Sequence, residues 1–251
     1  MSIGVLNILD SLTNQKVLPV KELPTQGLFY EDDFTIRIKK ASADDILLYN
    51  FNYIKDDIST ILQETKRIIK NNIVLNKKYT YEDIKSNDLL YIFFEIVKFT
   101  TAKDILVPFK DIFENISHVP FDAKHFNYFN YDKLGCLYNS ETHEFEKYGY
   151  RFSLPSVGVE NCLVDYLFKE NDSNGVKNNY DFLFFLGNKN YLSDNEINNL
   201  ITIFTEDLDE KEKEKIEEIV DTIYPAIGYT LKYNNKIVEL DMKIDFETLF
   251  M

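Results

Sequence analysis

Three histidines, two cysteines and several adjacent acidic pairs are the residues of this chain best equipped for chemistry. His118 and His125 stand seven residues apart in a strand-and-loop region, and His143 is alone. No HExxH or His-x-His pattern is present, so no pair of imidazoles is set on one helix face or strand as a zinc site requires. Each histidine reads as a surface or structural residue. Cys136 and Cys162 are isolated from one another, a poor zinc set, and read as reduced, buried or half-buried thiols. The eight glycines are scattered, with no GxGxxG or GxxxxGK[ST] loop to cradle a phosphate and no GxSxG elbow to present a serine. Acidic pairs occur at 32–33, 44–45 and 56–57. Neighbours on a helix point about 100° apart, so such carboxylates do not share a site. Asp44, Asp45, Asp56 and Asp57 fall at expected helix starts, where the macrodipole accounts for them. The expectation is therefore no catalytic residue, no metal and no cofactor. A divergent hydrolase using His118 or His125 with nearby acids is the enzymatic rival.

The totals narrow the function classes further. At 251 residues with 45% apolar content, the chain can build one large domain or two small ones around a real core. A formal net charge of -14 with only three arginines, Arg37, Arg67 and Arg151, argues against nucleic acid, whose phosphates need clustered cations. The same charge discourages contact with anionic membranes. No apolar run reaches the roughly 20 residues of a spanning helix. The start "MSIGVLNILDSLTNQK" lacks a basic n-region and carries Asp10 within its apolar part, so it does not read as a signal peptide. Two cysteines fit a reducing cytoplasm better than a secreted disulfide scaffold. Asn, Lys, Ile, Tyr and Phe are favoured, which reads as AT-rich codon usage and carries no mechanism.

The elements that must position these residues come next. "IGVLNILDSL" at 3–12 puts Val5, Ile8, Leu9 and Leu12 on one helical face, an arm that docks either on its own domain or on a partner. Pro24 and Gly27 punctuate a turn, and "FTIRIKK" alternates as a half-buried strand. Ser42 with Asp45 resembles a capping box and opens a helix through "DDILLYNF". Ile58, Ile61, Leu62, Thr65, Ile68 and Ile69 follow helical spacing, and "NDLLYIFFEIVKFTT" is apolar nearly all round, as a buried helix is. From about 103 to 135, short alternating pieces and two Val-Pro steps fit strands and loops. "YRFSLPSVGVENCLVDYLF" reads as strand, Pro/Gly turn and helix. Ser193 with Glu196 is a capping box before the stripe Ile197, Leu200, Ile201, Phe204. Ile216, Ile219, Val220 and Ile223 mark one more buried stripe, on a helix whose charge run is a solvated face. "GYTLKYNNKIVEL" reads as a hairpin about an Asn-Asn turn. The expected class is α+β, with helices packed on small antiparallel sheets or hairpins and a C-terminal β-hairpin. The expected organisation is an arm at 1–22, an α+β domain at 23–168 and a C-terminal unit at 181–251. The polar stretch 169–180 either divides two domains or joins two helices within one.

Phe and Tyr are abundant in "FNYFNY" and "YDFLFFLG", and they suit core edges as well as protein interfaces. The stretch "ELPTQGLFYEDDFTIRIKKASADDIL" is similar to the start of the T4-type phage baseplate hub assembly family, through Leu23, Pro24, Thr25, Gly27, Leu28 and Tyr30, then "FTIRIKK" and "ADDIL". "YRFSLPSVGVENCLVDYL" resembles that family's second Leu-Pro passage, and "KIVELDMKIDFETLF" its Phe-rich end. Some relatives carry Cys-x-x-Cys pairs in their hairpins; the hairpin here has no cysteine, so no metal carries over. The resemblance implies a non-enzymatic tailed-phage protein acting in assembly of the tail baseplate or hub in the host cytoplasm. Its implied partners are other phage tail or baseplate proteins; homo-oligomers stay open, and so does retention in the virion as a permanent tail, ring or connector subunit. Leu23, Pro24, Gly27, Leu28, Phe29 and Tyr30 are then interface or fold-signature residues. Pro24 fixes φ, Gly27 allows the turn, and the three that follow pin the strand entry.

Overall fold

The computed structural model describes residues 14–54, 58–102, 105–110, 116–129, 134–169, 180–223, 228–233 and 236–239. The arm residues Val5, Ile8, Leu9 and Leu12 lie outside them, as do most of 169–180 and the Asn-Asn turn. The protein is an α+β fold in which small antiparallel sheets are packed with helices.

The first sheet holds β1 (Gln15–Leu18), β2 (Ile36–Lys39) and β3 (Ile73–Leu75), with β2 in the middle. Alternation in "FTIRIK" does what it must: Phe34, Ile36 and Ile38 are buried while Thr35 and Arg37 are exposed. Helix α1 (Ala43–Ile54) packs on α2 (Ile58–Asn72), α2 packs on α3 (Leu89–Thr101), and α3 packs on β2. The Ser42 hydroxyl accepts the Asp45 N–H at 3.0 Å and the Asp45 carboxylate accepts the Ser42 N–H at 3.1 Å, so α1 starts on a closed capping box. Every residue of α3 from Tyr91 to Val97 is buried, as its all-round apolar sequence requires.

Eight more strands follow among the described residues, in one two-stranded and two three-stranded groups. Strands β4 (Ile105–Lys110) and β5 (Ile116–Phe121) pair with each other. The short β6 (Phe126–Asn127) pairs with β10 (Gly228–Tyr233), which pairs in turn with β11 (Lys236–Glu239) as the C-terminal hairpin. Strands β7 (Leu137–Asn139), β8 (Glu144–Lys147) and β9 (Tyr150–Phe152) form a meander. The remaining helices are α4 (Val157–Lys169), α5 (Asp194–Thr202) and α6 (Glu210–Ile223). The Ser193–Glu196 capping box closes in both directions, and all four residues of the α6 stripe are buried.

Two local features differ from the sequence reading. Gly158 belongs to the first turn of α4 rather than to a turn before it: a Cβ there would sit 1.8 Å from the Asn190 carbonyl oxygen, so glycine serves a close backbone approach. And α5 ends at Thr202, where the chain widens into a π-type turn over Ile203–Asp207. Phe204 is thereby carried off the helical stripe and packs against two clusters at once.

Three apolar clusters result. One lies between the first sheet and α2 and α3. A second gathers Phe29, Phe129, Phe145 and Phe152 with Phe184 and the α6 stripe. A third joins α4 to α5 through Val159, Leu163 and Ile197.

Candidate functional site

The segment from Leu23 to Tyr30 is wound as consecutive tight turns, with Leu23, Thr25 and Gly27 carbonyls accepting from Gln26, Leu28 and Tyr30 in succession. Gln26 and Gly27 both take positive φ, 55° and 79°. Glycine removes most of the cost at the second position, where a Cβ would also meet Val20 Cγ1 at 2.9 Å. The result alternates the side chains between two cores. Leu23 and Tyr30 enter the cluster under the first sheet, and Phe29 enters the second, edge-on to Phe129 at 5.1 Å. Leu28 is half-buried against the second cluster, and its carbonyl accepts the Tyr138 hydroxyl at 2.7 Å. Pro24 is buried and its carbonyl accepts the Phe129 N–H at 2.8 Å.

The polar centre of this staple is Asp88, which is fully buried. It immediately precedes α3, yet its side chain makes no capping bond to that helix. Instead one carboxylate oxygen accepts the Thr25 N–H at 3.0 Å, and the other accepts the Thr25 hydroxyl at 2.8 Å and the Tyr30 hydroxyl at 2.7 Å. Tyr30 also accepts the Lys85 N–H at 2.9 Å, and its ring stacks on Phe34 at 4.1 Å. Lys85 is itself only 2% exposed; its ammonium donates to Ser153 Oγ at 3.2 Å and Asn188 Oδ1 at 3.3 Å. Burial lifts the Asp88 carboxyl to about 6, against the pull of the Tyr30 and Thr25 hydrogen bonds and the Lys85 charge. Burial lowers the Lys85 ammonium to about 8, opposed by the charges of Asp88, Asp83 and Glu144. The Tyr30 phenol is pushed well above its ordinary range by burial and by Asp88.

A lysine of lowered basicity beside a serine hydroxyl is the pairing used to activate a serine nucleophile. Here it is sealed: Ser153 is 1% exposed and its N–H is committed to the Phe184 carbonyl at 2.7 Å. What the arrangement does in this state is hold three segments together, the 23–30 turn, the entry to α3 and the 184–190 loop. Asn190 Nδ2 adds a bond to Asp83 at 2.7 Å and Ser156 Oγ one to the Lys189 carbonyl at 2.9 Å.

The histidines do not converge on this centre. His125 is buried, stacks on Phe121 at 5.3 Å, and its Nδ1 accepts the Asp122 N–H at 3.0 Å; burial lowers its basicity. His143 Nδ1 lies 3.2 Å from the Tyr138 hydroxyl. His118 occupies β5 opposite Pro108. Cys136 and Cys162 are free and half-buried, and Cys162 Sγ accepts the Leu192 N–H at 3.5 Å. Among the described residues no three His, Cys, Asp or Glu side chains gather as a metal site, and no helix is long and apolar enough to cross a membrane.

Sequence reasoning missed Asp88 and Lys85. The available signal was "KSND", two charges immediately before a helix that is apolar nearly all round, where a charge turned inward needs buried partners. No family model, curated protein or solved structure matches the chain.

Proposed function

We propose that this chain is a non-enzymatic tailed-phage protein that acts in assembly of the tail baseplate or hub through contacts with other tail proteins, in the cytoplasm of the infected host. The supporting observation is the fate of the residues that carry the family resemblance. Leu23, Pro24, Thr25 and Tyr30 are consumed in the interior, and Thr25 and Tyr30 converge on Asp88. Such a stretch acts as a framework signature, and recognition falls to surfaces the framework presents. Exposed apolar side chains available for it among the described residues include Leu47, Leu137, Val164 and Tyr191.

The deciding experiment is quantitative mass spectrometry of purified particles against infected-cell lysate, with the tail-tube protein as reference. Abundance in lysate and absence from particles is the expected result. Stoichiometric presence in particles overturns the assembly role in favour of a permanent virion subunit. Infectious particles still assembled after substituting His118 and His125 by alanine would remove the enzymatic rival.

A further inference from the structure

Lys85 is a buried lysine whose direct acceptors are both neutral. Only 2% exposed, it donates to Ser153 Oγ at 3.2 Å and to Asn188 Oδ1 at 3.3 Å. Asp88, Asp83 and Glu144 act on it by charge, with no hydrogen bond from its ammonium to any of the three among the described residues. Burial outweighs those charges and lowers it to about 8, so near neutral pH it spends part of its time as a free amine, the nucleophilic form.

That amine faces an amide. Asn188 Nδ2 donates to the Thr142 carbonyl at 3.3 Å, which turns Oδ1 toward Lys85 and Nδ2 away from it. A C=O bond is ~1.2 Å long, so the Lys85 nitrogen lies within ~4.5 Å of Asn188 Cγ, about an ångström beyond attack distance. The amide is held in place from both sides. Gly187 before it takes φ 63°. Beyond it the Lys189 carbonyl accepts Ser156 Oγ at 2.9 Å, and Asn190 Nδ2 donates to Asp83 at 2.7 Å. Such positioning replaces a bimolecular encounter by an intramolecular one, with effective molarities on the order of 10⁵ M or more.

A proton carrier stands alongside. Glu144 Oε1 lies 2.6 Å from where a Cβ on Gly187 would sit, against the backbone adjoining Asn188. Asp88 is committed to Thr25 and Tyr30, and Asp83 to Thr80 and Asn190. The Glu144 carboxylate accepts no hydrogen bond among the described residues, although its charge reaches Lys85.

We propose that Lys85 and Asn188 join in an intramolecular isopeptide bond, with Glu144 carrying the proton. The Lys85 Nζ–Asn188 Cγ bond forms and the Asn188 Cγ–Nδ2 bond breaks. The proton given up by the amine passes through Glu144 to Nδ2, which leaves as ammonia. No oxidant, metal or second substrate takes part. Asn188 is exposed, so the ammonia has a route to solvent. The link spans 103 positions and makes covalent the tie between the entry to α3 and the 184–190 loop. It restricts the unfolded chain as a disulfide would. Each chain reacts once and turns over no substrate, so the proposal does not depend on the phage reading. Once linked, Lys85 no longer titrates, and its alkaline contribution to stability belongs to the unlinked form.

Intact-mass spectrometry of the denatured full chain tests the bond, before and after incubation of the folded protein at pH 9. The wild-type chain is expected to weigh one ammonia less than its sequence. Its tryptic digest is expected to show no cut after Lys85 and a branched peptide joining the Lys85 and Asn188 segments. Asn188→Ala, a change on an exposed loop, is expected to fold and keep its full mass. Glu144→Gln is expected to slow the loss of ammonia about tenfold or more. A wild-type chain that keeps its full mass after incubation overturns the proposal. So does a loss of ammonia that persists in Asn188→Ala, which comes from ring closure at another asparagine. A wild-type rate in Glu144→Gln overturns the proton-carrier role.

Discussion

The Tyr30 hydroxyl donates to the Asp88 carboxylate at 2.7 Å while accepting the Lys85 N–H at 2.9 Å, all three groups being buried. One phenol thus links a turn 58 residues upstream to both charged residues at the entry of α3. The linkage explains why the 23–30 segment can hold two adjacent positive-φ residues: each turn is fixed by a partner outside itself. It also sets a pH signature, because both charges are kept ionised at neutral pH in surroundings that oppose ionisation.

Asp88 should make the folded protein more stable in mild acid. Its folded pKa, about 6, is raised above the usual carboxylate value, so the folded state takes a proton more readily than the unfolded one. Stability from this group therefore increases as pH falls from 7 toward 4, by about 3 kcal/mol at most. Lys85, lowered to about 8, works the other way and adds stability as pH rises from 8 toward 10.5. Asp88→Asn should abolish the acid-side slope and keep the fold, since the Thr25 and Tyr30 hydroxyls can turn to accept from an amide. Asp88→Ala leaves Thr25 and Tyr30 donors with no acceptor and should cost ~2–3 kcal/mol at pH 7. Urea unfolding of the three proteins at pH 4.5, 6 and 7.5 reads both effects; an unchanged slope in Asp88→Asn would count against the burial argument.

Tyr30→Phe isolates the hydroxyl from the ring. Stacking on Phe34 survives, but the Lys85 N–H loses its acceptor and Asp88 loses one of three donors. The expected loss is ~1–3 kcal/mol, with the same dependence on unfolding agent as the native chain. A loss within about 0.5 kcal/mol would mean that water reaches the site.

Asp45 gives an opposite pH effect at lower pH. Burial works against its charge, but Asn72, the Ser42 N–H and Arg67 outweigh burial and hold it at about 2. A folded pKa below the unfolded one contributes stability that is complete above pH 4 and lost as pH falls toward 2. Asp45→Asn should therefore lower stability at pH 6, with a deficit that shrinks as pH falls toward 2, where the native carboxylate is itself protonated. Acid titration followed by far-ultraviolet circular dichroism of both chains checks it.

Periodicity carried much of this fold. The stripe Ile216, Ile219, Val220, Ile223, the Ser193–Glu196 box and the largely apolar helix Leu89–Thr101 each depend on neighbours within a few turns, so local sequence contains them. The polar centre depends on residues brought together from Thr25, Lys85, Ser153 and Asn188, through single hydrogen bonds that span up to 103 positions, and no local pattern encodes that meeting. The Leu-Pro-x-x-Gly stretch was legible as a turn with special φ, but its acceptor was not: Asp88 reads as an ordinary helix-start acid until the fold turns it away from its own helix. Gly158 shows the same limit, because the carbonyl that requires it belongs to Asn190.

Gly158→Ala separates local propensity from tertiary approach. Alanine is the better helix former by ~1 kcal/mol, so an isolated α4 would gain from the change. In the folded chain the new Cβ would lie 1.8 Å from the Asn190 carbonyl oxygen and 2.8 Å from its carbon, both backbone atoms that no rotamer can move aside. Relief requires the 188–190 loop to lift, which pulls Asn188 from Lys85 and Asn190 from Asp83. The expected outcome is a net loss of ~2–4 kcal/mol, with faster amide exchange concentrated in 184–192. Gly27→Ala, whose closest contact is a side-chain methyl of Val20 rather than a backbone atom, should cost less, ~1–2 kcal/mol, most of it from its positive φ. The reverse order in chemical denaturation of the two variants would show that the α4 approach is looser than its backbone contacts imply.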